Sequence, residues 1–205
     1  MRRHSLAIIT ASTIALTSAC ALAFNAPTTA LDGVPSGTYV IDPTHTSVNF
    51  GISHLGFSTY QGRFNTVSGN LEFDAKAPEK SSISVTVDAA SIDTNHTELE
   101  GKLKSADWFD TAKFPTATFT STKIEKLSAT TGKLTGDLSL HGLTKPVTLD
   151  VTFNGAGNNP FANVPQLGFS AKGSIKRSDF GIAQHLPAIG DEVSIMIESE
   201  LHLKK

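Results

Sequence analysis

The feature that most constrains this chain is a period-two alternation of apolar and polar residues, repeated in short runs between residues 47 and 197. Val48, Phe50 and Ile52 share one face of Ser47–Ser53, and Leu71 and Phe73 share one face of the next run. Ile83, Val85 and Val87 alternate with Ser84 and Thr86, and Ala117 and Phe119 alternate with threonines. Leu134, Gly136, Leu138 and Leu140 follow, then Val147, Leu149, Val151 and Phe153, then Phe169 and Ala171, and last Val193, Ile195 and Ile197. Successive side chains of a strand point to opposite faces, so each run reads as a strand with one apolar and one wet face. Gln61-Gly62, Ser68-Gly69-Asn70, Thr131-Gly132, Asn154 to Pro160, Lys172-Gly173 and Gly190-Asp191 read as the turns between them. Many such strands predict an all-β sandwich or barrel, and threonine on the polar faces suits an antiparallel sheet.

One segment departs from this period. Asn95–Lys104 reads as a short helix, with Asn95 as N-cap and Glu98 three residues on. Glu98 with Lys102, and Glu100 with Lys104, are i,i+4 pairs of the favourable order. Leu99 and Leu103 give it a narrow apolar stripe, enough to lay it on the barrel as a lid.

The N-terminus reads as a targeting segment. Arg2, Arg3 and His4 precede an uncharged, mostly apolar stretch to Ala23, and Ala21-Leu22-Ala23 supplies the small residues of a cleavage site. Met1–Ala23 is therefore expected to be a signal peptide cut before Phe24, which implies a periplasmic or secreted protein. Thr10, Ser12, Thr13, Thr17 and Ser18 interrupt the run too often for a membrane span. The single cysteine, Cys20, falls inside this segment, so the mature chain has no disulfide. Thr17-Ser18-Ala19 before it weakly resembles a lipoprotein processing site. Residues 24–36, rich in Ala, Thr and Pro, are expected to be a flexible leader, and 37–205 one domain. The formal net charge is −2 and becomes more negative without Arg2 and Arg3, so nothing marks a nucleic-acid partner. No later segment predicts stable membrane insertion.

Residues that could carry chemistry are scattered. Outside the signal segment the histidines are His45, His54, His96, His141, His185 and His202, and no pair has metal-ligand spacing. No nucleophile elbow, dinucleotide fingerprint or Walker loop is present, so no cofactor, metal or catalytic residue is expected. A hydrolase or metal protein using His45, His54 or His141 is the weaker alternative. Asp191 and Glu192 read as a solvated turn. Phenylalanine is abundant, at Phe50, Phe57, Phe64, Phe73, Phe119, Phe153, Phe169 and Phe180 among others. An eight-stranded barrel can fill itself with such side chains or hold one small ligand, and periodicity alone leaves both open.

The motifs break this tie. Tyr39-Val40-Ile41-Asp42-Pro43-Thr44-His45-Thr46-Ser47-Val48-Asn49-Phe50, followed by Ile52-Ser53-His54-Leu55-Gly56-Phe57-Ser58, resembles the opening of the YceI-like family. Leu103–Asp110 with Phe114-Pro115, Gly136–Val147, Arg177–Gly181 and Asp191–Val193 resemble later segments of that family in the same order. Trp108 stands where relatives often carry a second Phe. The resemblance covers about Gly37 to Leu203. It implies an extended, lipocalin-like, eight-stranded antiparallel barrel that binds a long-chain isoprenoid or other acyl lipid and has no shared catalytic activity. It also suggests a homodimer from family habit. The expected tunnel residues are Val48, Phe50, Ile52, Phe64, Phe73, Val85, Phe119, Leu138, Leu149, Val151, Phe153, Phe169, Phe180 and Ile195. His54, His141, Arg177 and Asp179 are the expected polar mouth, although each could equally fix a turn by hydrogen bonding. A non-lipid interaction barrel with a filled core remains the alternative.

Overall fold

The computed structural model describes residues 26–205, so the readings on Met1–Ala23, Cys20 and the cut before Phe24 lie outside it. In chain order the elements are β1 (Gly37–Ile41), β2 (Ser47–His54), β3 (Ser58–Phe64), β4 (Val67–Phe73), β5 (Ser82–Asp88), β6 (Ile92–Asp93), α1 (Thr97–Lys104), β7 (Thr116–Lys126), β8 (Thr131–Leu140), β9 (Leu143–Asn159), β10 (Val164–Lys176) and β11 (Ile189–Leu203). All pairings are antiparallel. The order β1-β4-β5-β7-β8-β9-β10-β11 closes on itself through a β1–β11 pairing, giving an eight-stranded barrel with no free edge around that ring of strands, while β2, β3 and β6 extend it at one end.

Three of the eight staves are interrupted. Both β1 and β2 pair with β11, Ile41 opposite Leu201 and Ser47 opposite Glu198, so they are two halves of one stave. Likewise β3 continues into β4 and β5 into β6, because β4 pairs with β5 while β3 pairs with β6. The first interruption has a local cause. Pro43 has no N–H to give a ladder, and Asp42 Oδ1 accepts from the Thr44 N–H at 2.8 Å, turning the chain. The long staves make the barrel tall: the 17 residues of β9 span roughly 50 Å at about 3.3 Å each.

The lower end of the barrel carries the β7–β8 and β9–β10 turns and the C-terminus. Its floor is densely packed. Tyr39 and Leu167 are 0% exposed and Leu201 1%, and Tyr39 meets Phe73 edge-on at 5.8 Å. The stretch read as a flexible leader is partly docked here. Thr28 exchanges two backbone hydrogen bonds with Ala156, at 2.9 and 2.8 Å, and Leu31 and Val34 pack on the core. Tyr39 donates its hydroxyl proton to the Pro35 carbonyl at 2.8 Å. Gly155 makes room for the docked segment, since a Cβ there would lie 2.9 Å from that of Pro27. This sealing of the core by residues 26–36 corrects the expectation of a free leader.

The upper end is less regular. β6 is two residues long and does not pair with β7, so the sheet is open there. α1 lies at this gap with none of its side chains buried. Its N-cap is His96, whose ring accepts from the Leu99 N–H at 3.1 Å, rather than Asn95, which adopts a left-handed φ of 55°. Glu100 rather than Glu98 closes the cap, accepting from Thr94 and His96 N–H at 3.0 and 3.2 Å. The Glu98–Lys102 pair forms at 2.9 Å on the solvent side.

Several glycines read as turns lie within strands. Gly62, Gly69 and Gly173 are internal to β3, β4 and β10, and Gly132 belongs to β8. A Cβ on Gly62 would lie 2.4 Å from the Phe50 ring, and one on Gly173 would lie 2.7 Å from Leu149 Cδ2. These positions lack a side chain because a neighbour on the inner wall occupies its space.

Candidate functional site

The inner faces of the staves do not fill the barrel. Two apolar cavities lie one above the other, of about 290 Å³ in the lower half and about 370 Å³ in the upper. Val48, Val87, Leu138 and Ile195 line both and form the waist between them. Phe73, Val85, Phe119, Leu149, Val151, Phe153 and Phe169 line the lower cavity, and Leu31 of the docked leader reaches it as well. Phe50, Ile52 and Phe64 line the upper one. Ring placement keeps the lumen open. Phe50 lies against Gly62, and Phe119 lies against Gly136, where a Cβ would meet its ring at 2.4 Å. With side chains at those glycines, both rings would be displaced from the wall.

Phe180 is the exception among the expected tunnel residues. It lines neither cavity and is 1% exposed inside the turn Arg177–Phe180 between β10 and β11. An aromatic residue at a strand end gives the same sequence signal whether it packs a turn or a lumen.

The expected polar mouth divides in the same way. His54 lines the upper cavity at the end of β2, its ring tilted against Tyr60 at 6.3 Å. Arg177 also lines it, but each of its three guanidinium nitrogens is engaged. Nε donates to Gly190 O at 2.8 Å, Nη1 to Ile182 O, and Nη2 to Gln184 O and Ile189 O, each at 2.9 Å. It ties the 177–190 loop together, and its face stacks 5.6 Å from the Trp108 ring. Burial lowers its pKa while nearby Asp191 raises it. Asp179 is exposed and lines neither cavity. The carboxylate that acts here is Asp191, which accepts from Ser178 N–H and Oγ–H at 2.9 and 2.7 Å and is held below the ordinary aspartate range by those bonds. His141 also stands outside the cavities. Its Nδ1 lies 2.9 Å from the Phe180 carbonyl and therefore carries the proton, and its ring meets Phe114 at 4.9 Å. For Arg177 and His141 the turn-fixing reading holds.

Sequence reasoning missed much of the upper lining. Tyr60, Ile92, Leu99, Leu103, Trp108, Phe109 and His185 all face this cavity. Leu99 and Leu103 were legible as the stripe of α1. Trp108 and Phe109 sit in an irregular segment where no period marks the inner face.

Among the described residues no serine hydroxyl is hydrogen-bonded to a histidine ring. His45 does not join His54 or His141; it sits at the β1–β2 interruption with Asp42 and Glu200, their ligand atoms within 4.8 Å of one another. Its Nδ1 faces both Asp42 Oδ2 at 2.8 Å and Thr44 Oγ1 at 3.1 Å, so a single nitrogen serves both neighbours and no relay passes through the ring. Burial would raise the Asp42 pKa, but the Thr44 hydroxyl, the His45 ring and the Thr44 amide hold it at about 2. The bond to Asp42 and the charges of Asp42 and Glu200 raise that of His45.

A closed antiparallel barrel with an elongated, aromatic-rich hollow belongs to the class of barrels that enclose a ligand-sized cavity. Within that class the chain belongs to the YceI family: the YceI-like domain model matches residues 39–201. It is 44% identical to the YceI protein of Escherichia coli over 156 residues, covering 76% of this chain and 81% of that relative. It superposes on the crystal structure of the YceI protein of Campylobacter jejuni with a TM-score of 0.68 and 33% identity, covering 75% of this chain and 91% of that one. A polyisoprenoid-binding domain from Saccharophagus degradans shares the fold, with a TM-score of 0.59 at 17% identity, covering 83% of this chain and all of that domain. No described helix is long and apolar enough to cross a membrane.

Proposed function

We propose that this protein binds and carries a long-chain isoprenoid or similar amphiphilic lipid inside the barrel, in the periplasm or outside the cell, without chemical change to its cargo. The observation that carries this reading is the pair of cavities in series, which share the Val48–Val87–Leu138–Ile195 waist and are walled mostly by apolar side chains. A chain threaded through both would move many methylenes out of water, each contributing about 0.8 kcal/mol. The cavities fall in the size range of ligand pockets, roughly 300–1,000 Å³. The polar end of the cargo would sit in the upper cavity, where His54, Tyr60, Lys102 and His185 are the available partners. The polyisoprenoid-binding fold neighbour supports this cargo class, and the signal-like Met1–Ala23 supports export.

Native mass spectrometry of protein taken from the envelope fraction of its own cells tests both parts. A stoichiometric isoprenoid or acyl species, recovered from that fraction, is the expected result. A clean apo mass with no uptake of added polyprenols would overturn the carrier reading, and recovery only from cytosol would overturn the location.

A further inference from the structure

The upper cavity opens beside a surface that ligand burial does not require. Two loops stand there together, residues 53–61 around the β2–β3 turn and residues 181–190 before β11. Leu55 N–H donates to the Ala188 carbonyl at 2.9 Å and joins them. Neither loop contains Asp, Glu, Lys or Arg, although such residues make up 18% of the chain. At the tip Phe57 is 89% exposed, with Leu55 at 52% and Leu186 at 37% beside it. The roots of the same loops carry His54, Tyr60, Ile182, His185 and Ile189 into the upper cavity. The hollow and the exposed apolar tip are thus continuous through two uncharged loops.

We infer that this tip docks the upper cavity onto the neutral interfacial zone of a lipid bilayer. The inference rests on the carrier reading, because a cargo that gains about 0.8 kcal/mol per methylene on leaving water resides in a bilayer before it is bound. A charge-free tip with a leading aromatic residue and flanking leucines matches an interface that charged side chains enter only at high cost. Docking by this tip places the cavity, rather than the outer wall of the barrel, against the membrane. Phe161, 92% exposed on the β9–β10 turn at the opposite end, is the internal control. It is equally apolar, but its turn contributes nothing to either cavity.

The test is flotation of the full protein with phosphatidylcholine vesicles, alongside uptake of a polyprenol added from ethanol and read by native mass spectrometry. The wild type floats, and raised salt leaves flotation unchanged. Phe57→Ser and, separately, Leu55→Ser reduce the vesicle-bound fraction by about tenfold while polyprenol uptake persists; Phe161→Ser changes neither. Absent flotation, flotation that salt abolishes, or equal loss in Phe161→Ser overturns the inference. So does a Phe57-dependent dimer without flotation, which assigns the tip to a second copy of the chain. Uptake without flotation sinks the docking alone, whereas flotation without uptake sinks the carrier reading and leaves the docking standing.

Discussion

At the lower end the ring of eight staves is unbroken and its floor is packed by Tyr39, Leu167 and Leu201 beside the docked leader, whereas at the upper end β6 and β7 do not pair and the gap is met by α1, none of whose side chains is buried. The difference separates two requirements that one barrel must meet. Regular pairing and a dense floor hold the fold, while irregular backbone with half-buried side chains allows a hollow to be reached. The upper end keeps its shape through a few side-chain ties, chiefly Arg177, instead of through continuous sheet.

If this division is right, the largest loss of stability comes from the floor. Leu167→Ala should cost about 2–5 kcal/mol in urea unfolding, with ligand uptake per folded molecule unchanged. Arg177→Ala comes next. It leaves the carbonyls of Ile182, Gln184, Ile189 and Gly190 without their donor, costing about 3 kcal/mol. Hydrogen exchange should localise the damage to residues 177–190 and spare β1, β10 and the rest of β11. Uniform loss of protection would erase the distinction between the ends. Gly62→Ala probes the lumen, since its methyl group must push the Phe50 ring off the wall. Overpacking of this kind costs about 1–3 kcal/mol, and cargo capacity in the upper cavity should fall with it. Unchanged uptake would show that the Phe50 ring does not define the hollow.

The smallest effect belongs to the Asp42–His45 pair on the outer wall. The His45 pKa is raised in the fold, so its contribution is complete below its ordinary 6.5 and is lost as pH rises through the folded value. The Asp42 pKa is depressed, so its contribution is complete above its ordinary 3.8 and is lost as pH falls through about 2. The difference in melting temperature between wild type and His45→Gln should therefore be small, widest between these ordinary values, and shrink above neutrality. A difference that keeps growing above neutrality would contradict the ion pair.

Most of the barrel was legible because its inner faces alternate. Every strand read from that alternation is present, and the expected tunnel positions other than Phe180 line one cavity or the other. The signal failed where an inward position is glycine. β3 was missed because Tyr60, Gly62 and Phe64 alternate around a missing side chain, and Gly62 itself read as a turn. Gly69 and Gly173 misled in the same way, since a glycine demanded by a close strand neighbour, Ser84 O and Ile41 for one and Leu149 for the other, is indistinguishable in sequence from one demanded by a bend. The polar mouth was the least legible part. Arg177 bonds backbone carbonyls later in its own loop and His141 one in another turn, and nothing in local sequence announces a carbonyl. The docked leader was hidden for a related reason: Thr28 pairs backbone to backbone with Ala156, next to a register shift in the β9–β10 ladder, and no residue pattern marks either.

The central claim, a single apolar path through both halves, is tested most directly by titrating prenyl alcohols of increasing length against the fluorescence of Trp108, the only tryptophan of the chain and part of the upper lining. The account predicts that affinity climbs with length, since each methylene buried adds about 0.8 kcal/mol. It also predicts that Leu138→Phe, which narrows the waist, removes the gain for the longest alcohols while leaving the short ones bound. Equal affinity at every length, or no response of Trp108 to any of them, would contradict it.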